Sequence, residues 1–169
     1  STKAFTTQLV ALALLTCSLG VVRNIVDKEQ EKNIVKGLRR LPGLIDKALL
    51  QEQQIKELAL SFKNKNNTFF LGRGTMHAIA LEGALKLKEV SYIHSEAYPA
   101  GELKHGPIAL IDKNLPVIAI APNNELLRKL KSNLEEVKSR GSKMIIFEDE
   151  NSKMTSINAM NIISITGNL

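Results

Sequence analysis

Three charged residues on one predicted helix form the pattern in this sequence best suited to chemistry. Glu82, Lys86 and Glu89 are spaced i, i+4 and i+7, so on a helix they lie within a stripe roughly 60° wide. The neighbouring positions are mostly apolar, whereas a solvated helix shows a broad polar face. Charges in such a position are paired with one another or line a cleft. The spacing alone favours surface ion pairs. The position of the helix after a parallel strand, where such sheets bind ligands, together with the GELKHGP segment, favours a functional cleft.

The second candidate is His105, within the segment GELKHGP. Gly101, Gly106 and Pro107 predict an irregular backbone there, and loops of this kind carry function more often than core positions do. A histidine can also exchange protons near neutral pH. A purely structural histidine is the alternative.

The elements that must position these residues alternate between helices and apolar strands. Apolar spacing predicts helices over 3–26, over a segment from 34 that ends at Pro42-Gly43, over 44–62, through the charged stripe, and from about 126 to Gly141. Short apolar runs predict strands over 68–71, 115–121, 144–147 and 161–165. Strands that are apolar on both faces and alternate with helices predict a parallel sheet in a three-layer α/β/α fold.

A glycine turn connects the first of these strands to the helix that bears the stripe. Gly72-Arg73-Gly74 lies where α/β proteins bind phosphates. The turn lacks the dinucleotide fingerprint and is not a P-loop. A turn that needs glycine only for its positive φ is therefore the alternative.

Composition restricts the class of protein. The chain has 169 residues and a net charge of +6, but its basic residues are dispersed without aromatic interleaving, which argues against nucleic-acid binding. Cys17 is the single cysteine, so the sequence contains no disulfide framework or zinc cluster. We expect a cytoplasmic protein with no metal ion and no cofactor.

An uncharged run from Ala4 to Val22 resembles a signal peptide or a membrane span. Thr6, Thr7 and Gln8 open the run, and polar residues also interrupt it. We expect a buried core helix here, and no membrane association.

Several runs of the sequence carry a family resemblance: STKAFTTQL, LGRG, ALEGALKLKE, SYIHSEAYPAGELKHGPIALID and PVIAIAPNNELL. Together they resemble the glutamine–fructose-6-phosphate transaminases (isomerizing), the glucosamine-6-phosphate synthases. The resemblance covers essentially the whole chain. It implies an isomerase region built from two SIS (sugar isomerase) domains: residues 1–26 end the first, 27–60 form connecting helices, and 61–169 form most of the second.

The resemblance also implies a role for each candidate residue. Glu89 matches the base that shuttles a proton between C1 and C2 of the sugar, and Lys86 would stabilise negative charge on the sugar oxygens. Glu82 would hold Lys86 in place. His105 matches the histidine that opens the sugar ring, supplied across a dimer interface, and Ser1 belongs to a segment that lines the sugar pocket.

The partners implied are fructose 6-phosphate and glucosamine 6-phosphate, a glutaminase domain, the first SIS domain and a second protomer of a homodimer. The chain lacks the N-terminal cysteine nucleophile, the phosphate-cradling loop and the C-terminal tail of that family. We therefore expect the isolated chain to be inactive, and to aggregate or dimerise. The alternative is a non-catalytic SIS module that binds a sugar phosphate or mediates dimerisation.

Overall fold

The computed structural model describes residues 2–154 and 161–165. These residues form two compact units, one up to Lys47 and one from Ala48 onward. The helices are α1 (Thr2–Val22), α2 (Lys28–Leu49), α3 (Glu52–Ala59), α4 (Met76–Ser91) and α5 (Leu127–Ser139). The strands are β1 (Asn67–Gly72), β2 (His94–Pro99), β3 (Val117–Ala121), β4 (Met144–Asp149) and β5 (Asn161–Ile165). Short 3-10 turns occupy Leu60–Phe62, Ala100–His105 and Pro107–Leu110.

Helix α1 is apolar and largely exposed, so the prediction of a buried core helix is wrong for this chain. Cys17 is buried, whereas Leu12 and Leu15 are more than half exposed (58% and 55%). The segment Lys3–Val22 is long and apolar enough to cross a membrane by length and composition, a test that many core helices of soluble proteins and signal sequences also pass.

Helix α2 begins at a capping box and continues past the predicted break at Pro42. Asp27 Oδ1 accepts hydrogen bonds from the backbone N–H groups of Glu29 and Gln30, and Gln30 Oε1 accepts one from the N–H of Asp27. Pro42 is exposed, so water can satisfy the helix carbonyl that its missing N–H leaves free. The helix ends at Leu49 instead.

The second unit contains a five-stranded, all-parallel sheet in the order β2-β1-β3-β4-β5. The prediction of a parallel α/β sheet is confirmed. The four apolar runs correspond to β1, β3, β4 and β5. Sequence analysis missed β2, whose sequence HSEAYP has no apolar run.

Side chains alternate between two cores, one on each face of the sheet, because successive strand residues point in opposite directions. On the first face Leu71, Val117 and Ile146 pack with Leu130 and Leu134 of α5. On the second face, the cluster joins side chains of four strands to α4 and the α3 region: Phe70, Ile118, Ile145, Ile163, Ala80, Ala84, Leu58 and Phe62. The unit therefore has three layers, α/β/α.

A buried carboxylate holds the last two strands together near their carboxyl ends. Glu148, which is 5% exposed, accepts a hydrogen bond of 2.8 Å from the backbone N–H of Met154 and another of 2.8 Å from Ser164 Oγ. Ser152 Oγ donates to the carbonyl of Ala121 on β3. These bonds tie the loop after β4 to the strands on either side.

Candidate functional site

The glycine turn and the close packing of α4 on the sheet position the charged stripe. Gly74 has φ +59, which supports a conformational reason for that glycine. At Gly83 an added Cβ would lie 2.8 Å from Cε1 of Phe70 on β1. Ala80 and Ala84 are buried on the same face of the helix. Small residues thus bring α4 close to the sheet and direct its opposite side outward.

Lys86 lies between the two carboxylates of the stripe. Its Nζ atom is 2.5 Å from Oε2 of Glu89 and 3.8 Å from Oε1 of Glu82. The side chains of Glu82 and Lys86 are 20% and 23% exposed, and that of Glu89 is 49% exposed. The structure therefore brings all three predicted residues together, with Glu89 the most accessible to a ligand.

Exposed apolar side chains flank this stripe. At about 100° per residue, Leu81 and Leu85 lie on one side of the stripe and Val90 on the other. Leu81 is 51%, Leu85 45% and Val90 77% exposed. An ion pair that stays at a solvated surface does not need apolar neighbours. Exposed apolar side chains around a charged group are instead typical of a site that another surface covers.

His105 lies at the end of the 3-10 turn Ala100–His105, which packs on the first face of the sheet. Ala100 and Leu103 are fully buried in the same core as α5. The side chain of His105 is 76% exposed, and its Nε2 atom is 3.9 Å from Oε2 of Glu102. Gly106 follows with φ +139, a conformation that L-residues rarely adopt.

The structure does not bring His105 and Glu89 together within one chain. Helix α4 packs on the second face of the sheet, whereas the segment that bears His105 packs on the first face beside α5. The sheet lies between the two layers. A site that uses both residues therefore needs His105 from another copy of the chain.

Ser1 lies outside the described residues. A cavity of about 770 Å³ lies elsewhere, between the α3 region and the C-terminal half of α4. Its lining is mostly apolar and includes Leu58, Phe62 and Ile145, but none of the three stripe residues.

Sequence reasoning missed a hydrogen-bonded chain on β2. The hydroxyl of Tyr98 donates to Glu96 Oε2, and Nε2 of His94 lies 3.2 Å from Glu96 Oε1. The Tyr98 hydrogen bond, assisted by His94, lowers the pKa of Glu96, and the same bond to Glu96 raises the pKa of Tyr98. Their i, i+2, i+4 spacing was the available signal.

Sequence reasoning also missed Arg73, within the glycine turn. Its Nη1 atom donates a hydrogen bond of 2.9 Å to Oδ1 of Asn133 on α5. The turn therefore contributes a cation as well as its glycines, and the guanidinium of that cation is directed toward α5.

A parallel sheet between two helical layers defines this unit as a three-layer α/β/α domain. The profile of the SIS domain matches residues 61–168, and the chain belongs to the SIS domain family.

Two curated relatives have the name glutamine–fructose-6-phosphate aminotransferase [isomerizing]. The proteins from Pseudomonas putida and Escherichia coli are each 54% identical to this chain over 165 residues, which is 98% of the chain and 27% of the relative. The chain thus spans about a quarter of the length of these relatives. A solved structure, the C-terminal domain of glucosamine-fructose-6-phosphate aminotransferase from Francisella tularensis, matches with a TM-score of 0.96 and 47% identity, covering 100% of this chain and 48% of that one.

Proposed function

We propose that this chain forms part of the isomerase region of an enzyme that makes glucosamine 6-phosphate from fructose 6-phosphate and ammonia derived from glutamine. The observation that carries the proposal is the arrangement of Lys86 between Glu82 and Glu89 on the outward side of α4, within an apolar border. The identity to relatives of that name supports the choice of substrate.

Glu89 is the proton shuttle. Conversion of the C2 imine of fructose 6-phosphate into the 2-amino aldose removes a proton from C1 and returns a proton to C2. One carboxylate can perform both halves, first as base and then as acid. Glu89 is the more exposed carboxylate of the stripe, so it can reach a sugar while remaining in contact with Lys86.

Lys86 stabilises the negative charge that develops on the sugar oxygens during this transfer. Its ammonium contacts both carboxylates, and therefore stays in place when Glu89 takes up the proton and becomes neutral. Glu82, which is the less exposed carboxylate, then holds Lys86 alone.

His105 opens the furanose ring in the site of a neighbouring protomer. Its exposed side chain and its position on the other face of the sheet from α4 support this arrangement. The functional unit is accordingly a homodimer. Residues 1–26 belong to the preceding SIS domain, where Ser1 lines the sugar pocket, 27–60 connect the two domains, and 61–169 belong to the second. A glutaminase domain supplies the ammonia, and the enzyme acts in the cytoplasm.

The test uses a chimera in which this chain replaces the matching residues of the E. coli relative. Glu89→Gln keeps the size of the side chain and removes the base. We expect the rate of isomerisation of fructose 6-phosphate to fall by about 10²- to 10⁴-fold, the usual contribution of a general base. Binding of fructose 6-phosphate, measured by calorimetry, should change little.

Glu125→Gln is the matched control, because Glu125 is an exposed carboxylate before α5 and should leave the rate unchanged. An inactive unsubstituted chimera would contradict the proposed function. That result, with binding of fructose 6-phosphate retained, would favour the non-catalytic SIS module. Undiminished isomerisation in Glu89→Gln would show that Glu89 is not the base.

A further inference from the structure

We propose that Arg73 is a positioning residue for His105, acting through the backbone of Ala100–His105. This inference rests on the proposed function, because it assigns a second residue to the ring-opening step. The glycine turn after β1 thus has a task on the opposite face of the sheet from the helix that it precedes.

Arg73 connects three elements. It belongs to the turn between β1 and α4, and its Nη1 atom donates to Oδ1 of Asn133 on α5, at 2.9 Å. The guanidinium also lies against Gly101, where an added Cβ would be 2.9 Å from Nη1 and 3.4 Å from Cζ. Asn133 is buried (9% exposed), so its side chain offers a fixed acceptor.

The segment of His105 has a second connection to the same helix. Nζ of Lys104 lies 2.9 Å from Oε1 of Glu136. Asn133 and Glu136 are three residues apart and therefore lie on one side of α5. Between these two contacts, Leu103 is fully buried. The segment is therefore connected to α5 through Arg73 at Gly101, through the shared core at Leu103 and directly at Lys104.

Few contacts made by the His105 side chain itself orient its exposed imidazole. The one ionic contact the described residues give it is Glu102 Oε2 at 3.9 Å, and both side chains are mostly exposed. Its direction therefore depends on the backbone that precedes it. The planar fork of Arg73 suits this task, because it can lie flat against Gly101 while one nitrogen bonds Asn133, whereas a lysine ammonium offers no such plane.

The experiment is a double-mutant cycle between Arg73→Lys and His105→Asn in the active chimera. Arg73→Lys should lower kcat for isomerisation by about 10- to 100-fold, as small misplacements of a catalytic group do, and should remove the limb of the pH–rate profile that His105→Asn also removes. With His105→Asn already present, Arg73→Lys should cause no further loss, because it acts only through the histidine. Arg128→Lys, on the exposed side of α5, is the matched control.

Gly101→Ala provides a second route to the same displacement, because it keeps the charge of Arg73 and pushes the guanidinium away. It should reproduce the loss in kcat and the altered pH profile, with the melting temperature followed in every variant. If Arg73→Lys and His105→Asn multiply one another's losses, Arg73 has a merely structural role and the inference is wrong. If His105→Asn itself has no effect, the role of His105 in the proposed function fails as well.

Discussion

The buried carboxylate of Glu148 allows a stability prediction that the contacts themselves determine. Glu148→Ala removes the acceptor of the Met154 N–H and of the Ser164 hydroxyl. Met154 is fully buried, so water cannot replace the lost acceptor, and an orphaned buried donor costs about 1–3 kcal/mol. The one methylene that the change deletes, Cγ of Glu148, contributes about 0.8 kcal/mol. The total expected loss in the free energy of unfolding is about 3 kcal/mol.

Ser164→Ala should have a much smaller effect. Ser164 is exposed, so the change exchanges one hydrogen bond for water and costs about 0.5–1 kcal/mol. For a chain of this size 1 kcal/mol corresponds to about 2–4 °C in Tm. We therefore expect Glu148→Ala to lower Tm by about 6–12 °C and Ser164→Ala by about 1–4 °C in thermal unfolding followed by circular dichroism.

Glu150→Ala is the control, because it removes a neighbouring exposed carboxylate and should change stability by no more than about 0.5 kcal/mol. If Glu148→Ala proves no more damaging than Glu150→Ala, the Met154 N–H does not depend on Glu148. The assignment of this carboxylate as the connection between the loop after β4 and strand β5 would then be wrong.

Two further predictions concern β2 and α1. In Tyr98→Phe the pKa of Glu96 should rise toward its ordinary value of 4.5, as read from an NMR titration. A lowered carboxyl pKa stabilises the fold above the unfolded value and loses that effect as pH falls through the folded value. The loss of stability in the variant should therefore be full at pH 7 and shrink as the pH is lowered below 4.5; a loss that does not change with pH would refute the link. The isolated chain should self-associate through the exposed leucines of α1. The double substitution Leu12→Lys, Leu15→Lys should therefore delay its elution in size-exclusion chromatography at micromolar concentration. Elution of the unsubstituted chain as a monomer would contradict this prediction.

Apolar patterning predicted the central part of the sheet well. Residues such as Leu71, Val117 and Ile146 are fully buried, and a strand covered on both faces shows its burial as an uninterrupted apolar run. The pairing of Glu82, Lys86 and Glu89 followed from helical spacing in the same way. Periodicity reports which side chains share a face, and for these elements that was sufficient.

The remaining features depend on contacts between distant parts of the chain. Helix α2 continues through Pro42 because that residue is exposed to solvent. The spacing of apolar residues did not reveal that this side of the helix is exposed. Whether the leucines of α1 are exposed depends on contacts with other parts of the protein, which the spacing of apolar residues does not encode. The hydrogen bond from Arg73 to Asn133 joins residues 60 positions apart. No local pattern encodes such a contact, so a cation at a strand end could be recognised only as a turn residue.

The polarity that hid β2 from sequence analysis has a consequence for solubility. Among the described strands β2 pairs with β1 alone, so its outer row of backbone donors and acceptors could recruit a strand from another molecule. A strand rich in valine and isoleucine at this border would invite such stacking. The polar side chains of His94 and Glu96 make that recruitment costly, and Pro99 at the end of the strand offers no N–H. The polar sequence that makes β2 hard to recognise thus also protects this edge of the sheet from pairing with other molecules into fibres.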